Sequence, residues 1–115
     1  MNNYKKNNPE EKRIQESSRI RNKHPTRIPI IVCKAKGCDL PDIDKQKYLV
    51  PKDMNIGQFV YVIRKRIKLE SNQALFVLIN NNLSTSNKLL EDIYENNKDE
   101  DGFLYVTYCS ENTFG

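Results

Sequence analysis

Hydrophobic residues recur along residues 56–67 with the period of an α-helix. They fall at i, i+3, i+4, i+7 and i+11, on one helical face: Ile56, Phe59, Val60, Ile63 and Ile67. Asn55 is a favourable N-cap, and Gln58 stands where a capping box carries Glu or Gln. The pattern predicts a long amphipathic helix at the centre of the core.

Four other segments have the composition of strands, namely residues 27–34, 46–50, 74–79 and 103–108. The third is an unbroken apolar run, which is typical of a fully buried strand. Pro29 has no N–H to donate, so it marks a bulge or a locally unpaired stretch in the first strand. Residues 10–23 contain neither Gly nor Pro and predict a surface helix. Residues 88–95, capped by Asn87, predict a short one.

The order of these segments predicts an α+β fold of the ubiquitin-like, β-grasp kind. We expect a four-strand mixed sheet with the long helix packed across one face. We expect residues 1–24 to form an N-terminal helical extension, residues 25–109 the core, and residues 110–115 a flexible tail for conjugation.

Charge is spread unevenly along the 115 residues. The chain has 19 Lys and Arg against 15 Asp and Glu, a net charge of +4, and the excess lies in residues 1–36. That third is either a solvated helical face or a surface that attracts acidic peptides or anionic lipid. No aromatic residue follows Tyr4 among its charges, which disfavours nucleic acid as a partner. The longest apolar run has six residues, and a membrane helix needs about 18. We expect a cytoplasmic domain.

No motif for catalysis or metal binding stands out. Cys33, Cys38 and Cys109 form no Cys-x-x-Cys pair, and His24 is the chain's one histidine. His24 precedes a proline after the first long helix, where a histidine suits the C-terminal end of the helix dipole. We therefore expect no metal, no cofactor and no enzymatic activity.

Several motifs, in order, resemble one known family. They are Glu11-Lys12-Arg13, Arg27-Ile28-Pro29, the segments 47–51, 57–59, 63–67 and 98–105, and the end 111–115. The sequence resembles the autophagy-related protein 8 family of ubiquitin-like modifiers, which includes microtubule-associated light chain 3 and the GABA-receptor-associated protein. The resemblance covers residues 9–115.

The resemblance implies conjugation of Gly115 to phosphatidylethanolamine on autophagosomal or vesicle membranes. Glycine lacks a Cβ, so it can enter a narrow active site. The implied partners are an activating and a conjugating enzyme, a processing cysteine protease that also recognises Phe114, and cargo receptors; microtubules are a further candidate. The catalytic cysteines belong to those enzymes, so this chain is a substrate.

The resemblance also implies docking of peptides that carry an aromatic residue, two spacers, an aliphatic residue and flanking acids. The strand at residues 46–50 is expected at a sheet edge, where an extended ligand can pair with it. The aromatic pocket resembles Glu16, Ile20, Pro29, Ile31, Lys47, Leu49 and Phe103, with Arg27 and Lys45 facing the acids. The aliphatic pocket resembles Tyr48, Val50, Pro51, Met54, Phe59, Val62, Ile63 and Arg66.

Two alternatives remain open at this point. The first is an adaptor that docks peptides or tubulin and is never conjugated. The second is a basic nucleic-acid module, whose binding would fall steeply with added salt. The peptide pockets themselves have a competing explanation, because most of their apolar residues also suit a core.

Overall fold

The computed structural model of the chain describes residues 3–111. In chain order its elements are α1 (Asn3–Asn7), α2 (Glu10–Lys23), β1 (Arg27–Lys34), β2 (Lys47–Pro51), α3 (Ile56–Arg66), β3 (Phe76–Ile79), β4 (Asn82–Leu83), α4 (Leu90–Asn97) and β5 (Leu104–Cys109).

The strands form one mixed sheet in the order β2-β1-β5-β3-β4. β1 and β5 run parallel at the centre, with Ile30 opposite Leu104, and the other neighbours are antiparallel. This arrangement confirms the predicted ubiquitin-like α+β fold and its N-terminal helices. Pro29 pairs with Leu49 of β2, and the pairing with β5 starts one residue later. The missing N–H of Pro29 therefore falls where β5 has not yet begun to pair.

Alternate residues of β1 enter two different cores, so the sheet is covered on both faces. Ile28, Ile30 and Val32 share one cluster with Phe59 and Ile63 of α3. Ile31 and Cys33 share the other with Ile20 of α2 and Phe103. Because side chains alternate along a strand, this eight-residue segment anchors α3 on one side and the N-terminal helices on the other.

The capping box of α3 is present as predicted. The Asn55 side chain accepts from the backbone N–H of Gln58 at 2.8 Å, and the Gln58 side chain accepts from the N–H of Asn55 at 2.9 Å. Two N–H groups at the helix start are thereby satisfied, which fixes where α3 begins.

Three sequence predictions need correction in the C-terminal half. The sheet has five strands rather than four, because Asn80 and Asn81 adopt positive φ and turn the chain into the short strand β4. β3 is only half-buried on one face, since the N-terminal helices lie over β1 and leave Phe76 and Leu78 partly exposed. α4 begins at Leu90 without a side-chain cap, not at residue 88 after an Asn87 cap. The Leu90 N–H bonds the Met54 carbonyl, so tertiary contact sets that boundary.

A buried carboxylate fastens α2 to the start of β5. Asp101 is 2% exposed, and its Oδ2 accepts from Arg13 Nη1 and from the Tyr105 hydroxyl, each at 2.5 Å. The Ser17 hydroxyl donates to the Asp101 carbonyl. Burial and the hydrogen bond to Asp101 together raise the pKa of Tyr105 far above its usual value. α2 is therefore held by paired buried charges as well as by apolar packing.

Candidate functional site: the β2 edge

β2 lies at one end of the strand order and pairs with β1 alone among the described strands. The Val32 N–H bonds the Gln46 carbonyl at 2.8 Å, and hydrogen-bonded pairs alternate along an antiparallel ladder. The main-chain groups of Lys47 and Leu49 consequently point away from β1. The Leu49 carbonyl accepts only from the Arg27 guanidinium, at 3.2 Å, among the contacts of the described residues. The edge thus offers N–H and C=O groups to an added strand.

The alternation of β2 directs its side chains to two different helices. Lys47 and Leu49 lie on the face covered by α2, where Leu49 packs against the cluster of Ile20 and Phe103. Tyr48 and Val50 lie on the other face, in the core with α3. Residues three apart in an extended ligand also point to opposite faces, because their separation is odd. An aromatic-x-x-aliphatic segment beside β2 can therefore send one anchor towards each helix.

The α2 face contains a cavity of about 220 Å³. Four residues predicted for the aromatic pocket line it, namely Glu16, Ile20, Lys47 and Leu49. Pro29, Ile31 and Phe103 are buried beneath them and form an apolar floor rather than the walls. The structure brings the predicted set together in two layers.

Sequence reasoning missed three residues of this cavity, Arg19, Lys23 and His24. Arg19 and Lys23 fall three and seven residues after Glu16, on the same side of α2 as Ile20, which lies four after it. Helical spacing within residues 10–23 was therefore a signal that could have found them.

The charges around the cavity favour an anionic ligand. The acidic wall residue, Glu16, is already paired with Lys47 Nζ. Arg19, Lys23 and Arg27 take part in no ion pair among residues 3–111, and Arg19 and Lys23 are exposed. Arg19 and Lys23 line the cavity together with Ile20 and Leu49. Uncompensated cations next to apolar side chains suit a ligand with acids beside an aromatic side chain.

The residues predicted for the aliphatic pocket divide into buried and accessible members. Tyr48, Val50, Phe59 and Ile63 are buried, and the rings of Tyr48 and Phe59 meet edge to face at 5.8 Å. The accessible or half-buried members are Pro51, Met54, Val62 and Arg66. No single cavity among those described gathers this set; Pro51 lines another of about 400 Å³ together with Arg27 and Leu89.

Arg66, near the end of α3, forms an ion pair with Asp44 through two hydrogen bonds. Its Nε and Nη2 donate to the Asp44 carboxylate at 2.7 and 3.2 Å. The hydrogen bond from Arg66 lowers the pKa of Asp44 below its usual value. Lys45, predicted beside the aromatic pocket, instead lies 5.0 Å from the Tyr48 ring, towards the α3 side. A ligand acid near Tyr48 would thus meet Lys45, and it would compete with Asp44 for Arg66.

Some sequence predictions concern other parts of the chain. Phe114 and Gly115 lie outside the described residues. Cys33, Cys38 and Cys109 are free thiols buried in the core, and burial raises the pKa of Cys33 and Cys109. Within residues 3–111, no three of His, Cys, Asp or Glu are placed to hold a metal ion, and no helix could cross a membrane.

Comparisons with known proteins identify the same family over nearly the whole chain. A family profile described as "Autophagy protein Atg8 ubiquitin like" matches residues 12–115. Autophagy-related protein 8a of Arabidopsis thaliana is 61% identical over 112 residues, which are 97% of this chain and 92% of that protein. Autophagy-related protein 8A of Oryza sativa subsp. indica is 58% identical over 112 residues, covering 97% and 94%.

A solved structure agrees in three dimensions. The crystal structure of Trypanosoma brucei ATG8 superposes with a TM-score of 0.90 at 44% sequence identity, and the match covers 94% of this chain and 93% of that one. Sequence and fold together show that this chain belongs to the Atg8 family of ubiquitin-like autophagy proteins.

Proposed function

We propose that this protein is a conjugated autophagy modifier. Its C-terminal Gly115 is joined to phosphatidylethanolamine, and its β2 edge then recruits receptors that carry an acidic aromatic-x-x-aliphatic segment. The observation that carries the docking half is the alternation of β2, which turns Leu49 towards the α2 cavity and Tyr48 towards α3. Membership of the Atg8 family, with a profile match that extends to Gly115, supports the conjugation half.

In this proposal the chain is a substrate and not an enzyme. The Gly115 carboxylate is activated with ATP, carried as a thioester on cysteines of the activating and conjugating enzymes, and attacked by the lipid amine. A processing cysteine protease recognises the tail at Phe114. Conjugation moves the protein from the cytoplasm to autophagosomal membranes. The three cysteines of this chain are buried, which makes them poor carriers for such a thioester.

The ligand strand is expected to pair with β2 and place its aromatic side chain above Ile20 and Leu49. Its aliphatic side chain then lies against Met54, Val62 and Arg66, on the α3 face. The acids preceding the aromatic residue meet Arg19, Lys23 or Arg27. Burial of the two anchors supplies most of the affinity, and the charges speed association.

Peptide titration tests the docking half directly. Leu49→Ala removes the β2 wall of the cavity, and Arg66→Ala removes the α3-side cation. Each should weaken an acidic aromatic-x-x-aliphatic peptide roughly tenfold, as expected for loss of a central contact. Isothermal calorimetry gives both dissociation constants.

Two controls separate this docking from a general effect. Leu83→Ala removes an exposed leucine from β4, at the far edge of the sheet, and should leave the affinity unchanged. A peptide with one spacer instead of two places both anchors on the same face and should bind poorly. Unchanged titration curves for both Leu49→Ala and Arg66→Ala would overturn the pocket assignment.

A further inference from the structure

The outer face of α3 carries a group of basic residues that the docking site does not use. Tyr61, Arg64, Lys65 and Lys68 follow one another at i, i+3, i+4 and i+7, and they line a cavity of about 500 Å³ together with Leu69 and Ser71. We call these four residues the α3 basic face.

The cations of the α3 basic face are not neutralised by carboxylates. Among residues 3–111, Lys65 and Lys68 take part in no ion pair. Arg64 donates to the backbone carbonyls of Gln73 and Glu70, at 2.7 and 2.8 Å, which leaves its charge uncompensated. Tyr61 is 53% exposed, and Lys65 Nζ lies 5.2 Å from its ring centre.

The backbone of Lys68 adopts a conformation that is unfavourable for a residue other than glycine. It has a φ of 57°, in the left-handed region that favours glycine. The Lys68 N–H bonds the Lys65 carbonyl and the Leu69 N–H bonds the Arg64 carbonyl, which is the Schellman ending of a helix. Glycine is the usual residue at this position. A lysine there adds charge to the face where stability alone would favour glycine.

The α3 basic face is at the end of the molecule from which the C-terminal tail departs. β5 ends beside β1, with Tyr108 opposite Lys34, and β2 starts at the same end, with Lys47 opposite Ile31. Arg66 bonds Asp44, three residues before β2, so α3 also ends there. β5 therefore ends at the same end of the molecule as the basic last turn of α3. The C-terminal residues that lead to Gly115 follow β5 there.

The opposite end carries charges of both signs. α4 starts beside the beginning of α3, because the Leu90 N–H bonds the Met54 carbonyl. Glu91 and Asp92 occupy the first turn of α4, and Asp53 lies between β2 and α3. Arg27, Lys52 and Lys88 lie at this end too. The local cluster of uncompensated cations, rather than a charge difference between the two ends, would therefore draw an anionic surface to the α3 basic face.

We propose that the α3 basic face binds the phosphate-bearing head groups of an anionic phospholipid bilayer. Lys65, Lys68 and Arg64 attract the lipid phosphates, and the exposed Tyr61 ring lies at head-group depth. This contact turns the tail end of the protein to the membrane. The choice of a bilayer over other polyanions rests on the proposed lipid conjugation. A single exposed aromatic residue on this face is a poor stacking platform for RNA.

Vesicle co-sedimentation of the unconjugated protein tests the proposal without any conjugating enzyme. The vesicles are phosphatidylcholine alone or phosphatidylcholine with about one third phosphatidylserine. We expect binding to the anionic vesicles only, weakening as salt rises from about 50 to 200 mM. Each cation near an anionic leaflet changes partitioning about fivefold, so Lys65→Gln with Lys68→Gly should weaken vesicle binding roughly 25-fold.

The variants also separate binding from folding. Lys68→Gly relieves the left-handed strain, so its melting temperature should stay the same or rise while vesicle binding falls. Lys88 lies beside the N-terminal end of α3, away from the α3 basic face. Lys88→Gln removes one positive charge, as Lys68→Gly does, and should bind vesicles like the unaltered protein. Equal binding to neutral vesicles, or an equal loss with Lys88→Gln, would refute the proposal. Binding of single-stranded RNA through Lys65 and Lys68, without vesicle binding, would refute the lipid assignment. None of these results depends on whether Gly115 is conjugated.

Discussion

At the scale of the residue, the ring and the hydroxyl of Tyr48 have opposite effects on stability. Its ring packs against Phe59 in the core, yet its hydroxyl is buried and has no hydrogen-bond partner among the described residues. Burial also raises the pKa of this phenol. A buried, unpaired hydroxyl costs stability, so this hydroxyl does not contribute to folding. The position next to Arg66 and Lys45 is where the proposed ligand passes.

Tyr48→Phe should therefore leave the protein as stable as before or stabilise it, by about 1 kcal/mol. Chemical denaturation monitored by circular dichroism measures the free energy of unfolding. Val50→Ala is the comparison, because it empties buried apolar volume on the same strand and should destabilise the fold. A clear loss of stability in Tyr48→Phe would show that the hydroxyl has a partner in solution.

Gly102 is a second residue whose identity is fixed by its surroundings. Its φ is +91°, and a Cβ placed there would collide with the Ser17 hydroxyl of α2. The contact belongs to the Asp101 cluster that holds α2 against β5. A larger residue must displace the Ser17 side chain, which breaks its hydrogen bond to the Asp101 carbonyl and loosens α2.

Gly102→Ala should consequently weaken peptide binding although Gly102 lies outside the β2 cavity. Displacing α2 moves Glu16 and Ile20, and we expect a loss of stability on the order of 2 kcal/mol with a several-fold loss of affinity. Gly37→Ala is the matched control: it has a φ of +80° but nothing near its Cβ, so it should cost stability through strain alone. Peptide affinity equal in the two variants would contradict the coupling through α2.

At the scale of the element, the helices and strands that could be predicted from sequence were those determined by residues close together in the chain. The helical period of residues 56–67 and the Asn55–Gln58 pair predicted α3 together with its cap, because both depend on neighbours within one turn. β4 has two residues and no periodicity, and α4 starts where its backbone meets Met54. No sequence pattern within those segments could reveal either feature.

The same distinction applies to the candidate site. Residues of β2 were predicted as one strand, and its edge position is confirmed by the strand order. Which apolar residues form walls and which form floor depends on how α2 lies over β1, as the burial of Ile31 and Phe103 beneath Ile20 illustrates. That packing rests on Arg13 and Asp101, which are 88 residues apart. Such a pairing has no local sequence signal.

At the scale of the whole molecule, the proposed activities occupy separate surfaces. Peptides are expected along β2, lipid phosphates at the α3 basic face, and conjugation at the end of the tail beyond β5. Membership of the Atg8 family supports the first and last of these.

The central claim is that Gly115 is joined to a lipid, and an intact-mass measurement tests it most directly. The protein and a Gly115→Ala variant are incubated with activating and conjugating enzymes, ATP and phosphatidylethanolamine liposomes. The account predicts a mass increase equal to the lipid minus one water, mapped to Gly115 and absent from the variant, with peptide affinity the same in both. An unchanged mass, while an Atg8 relative is conjugated in the same reaction, would contradict it and favour an adaptor that acts through the β2 edge alone.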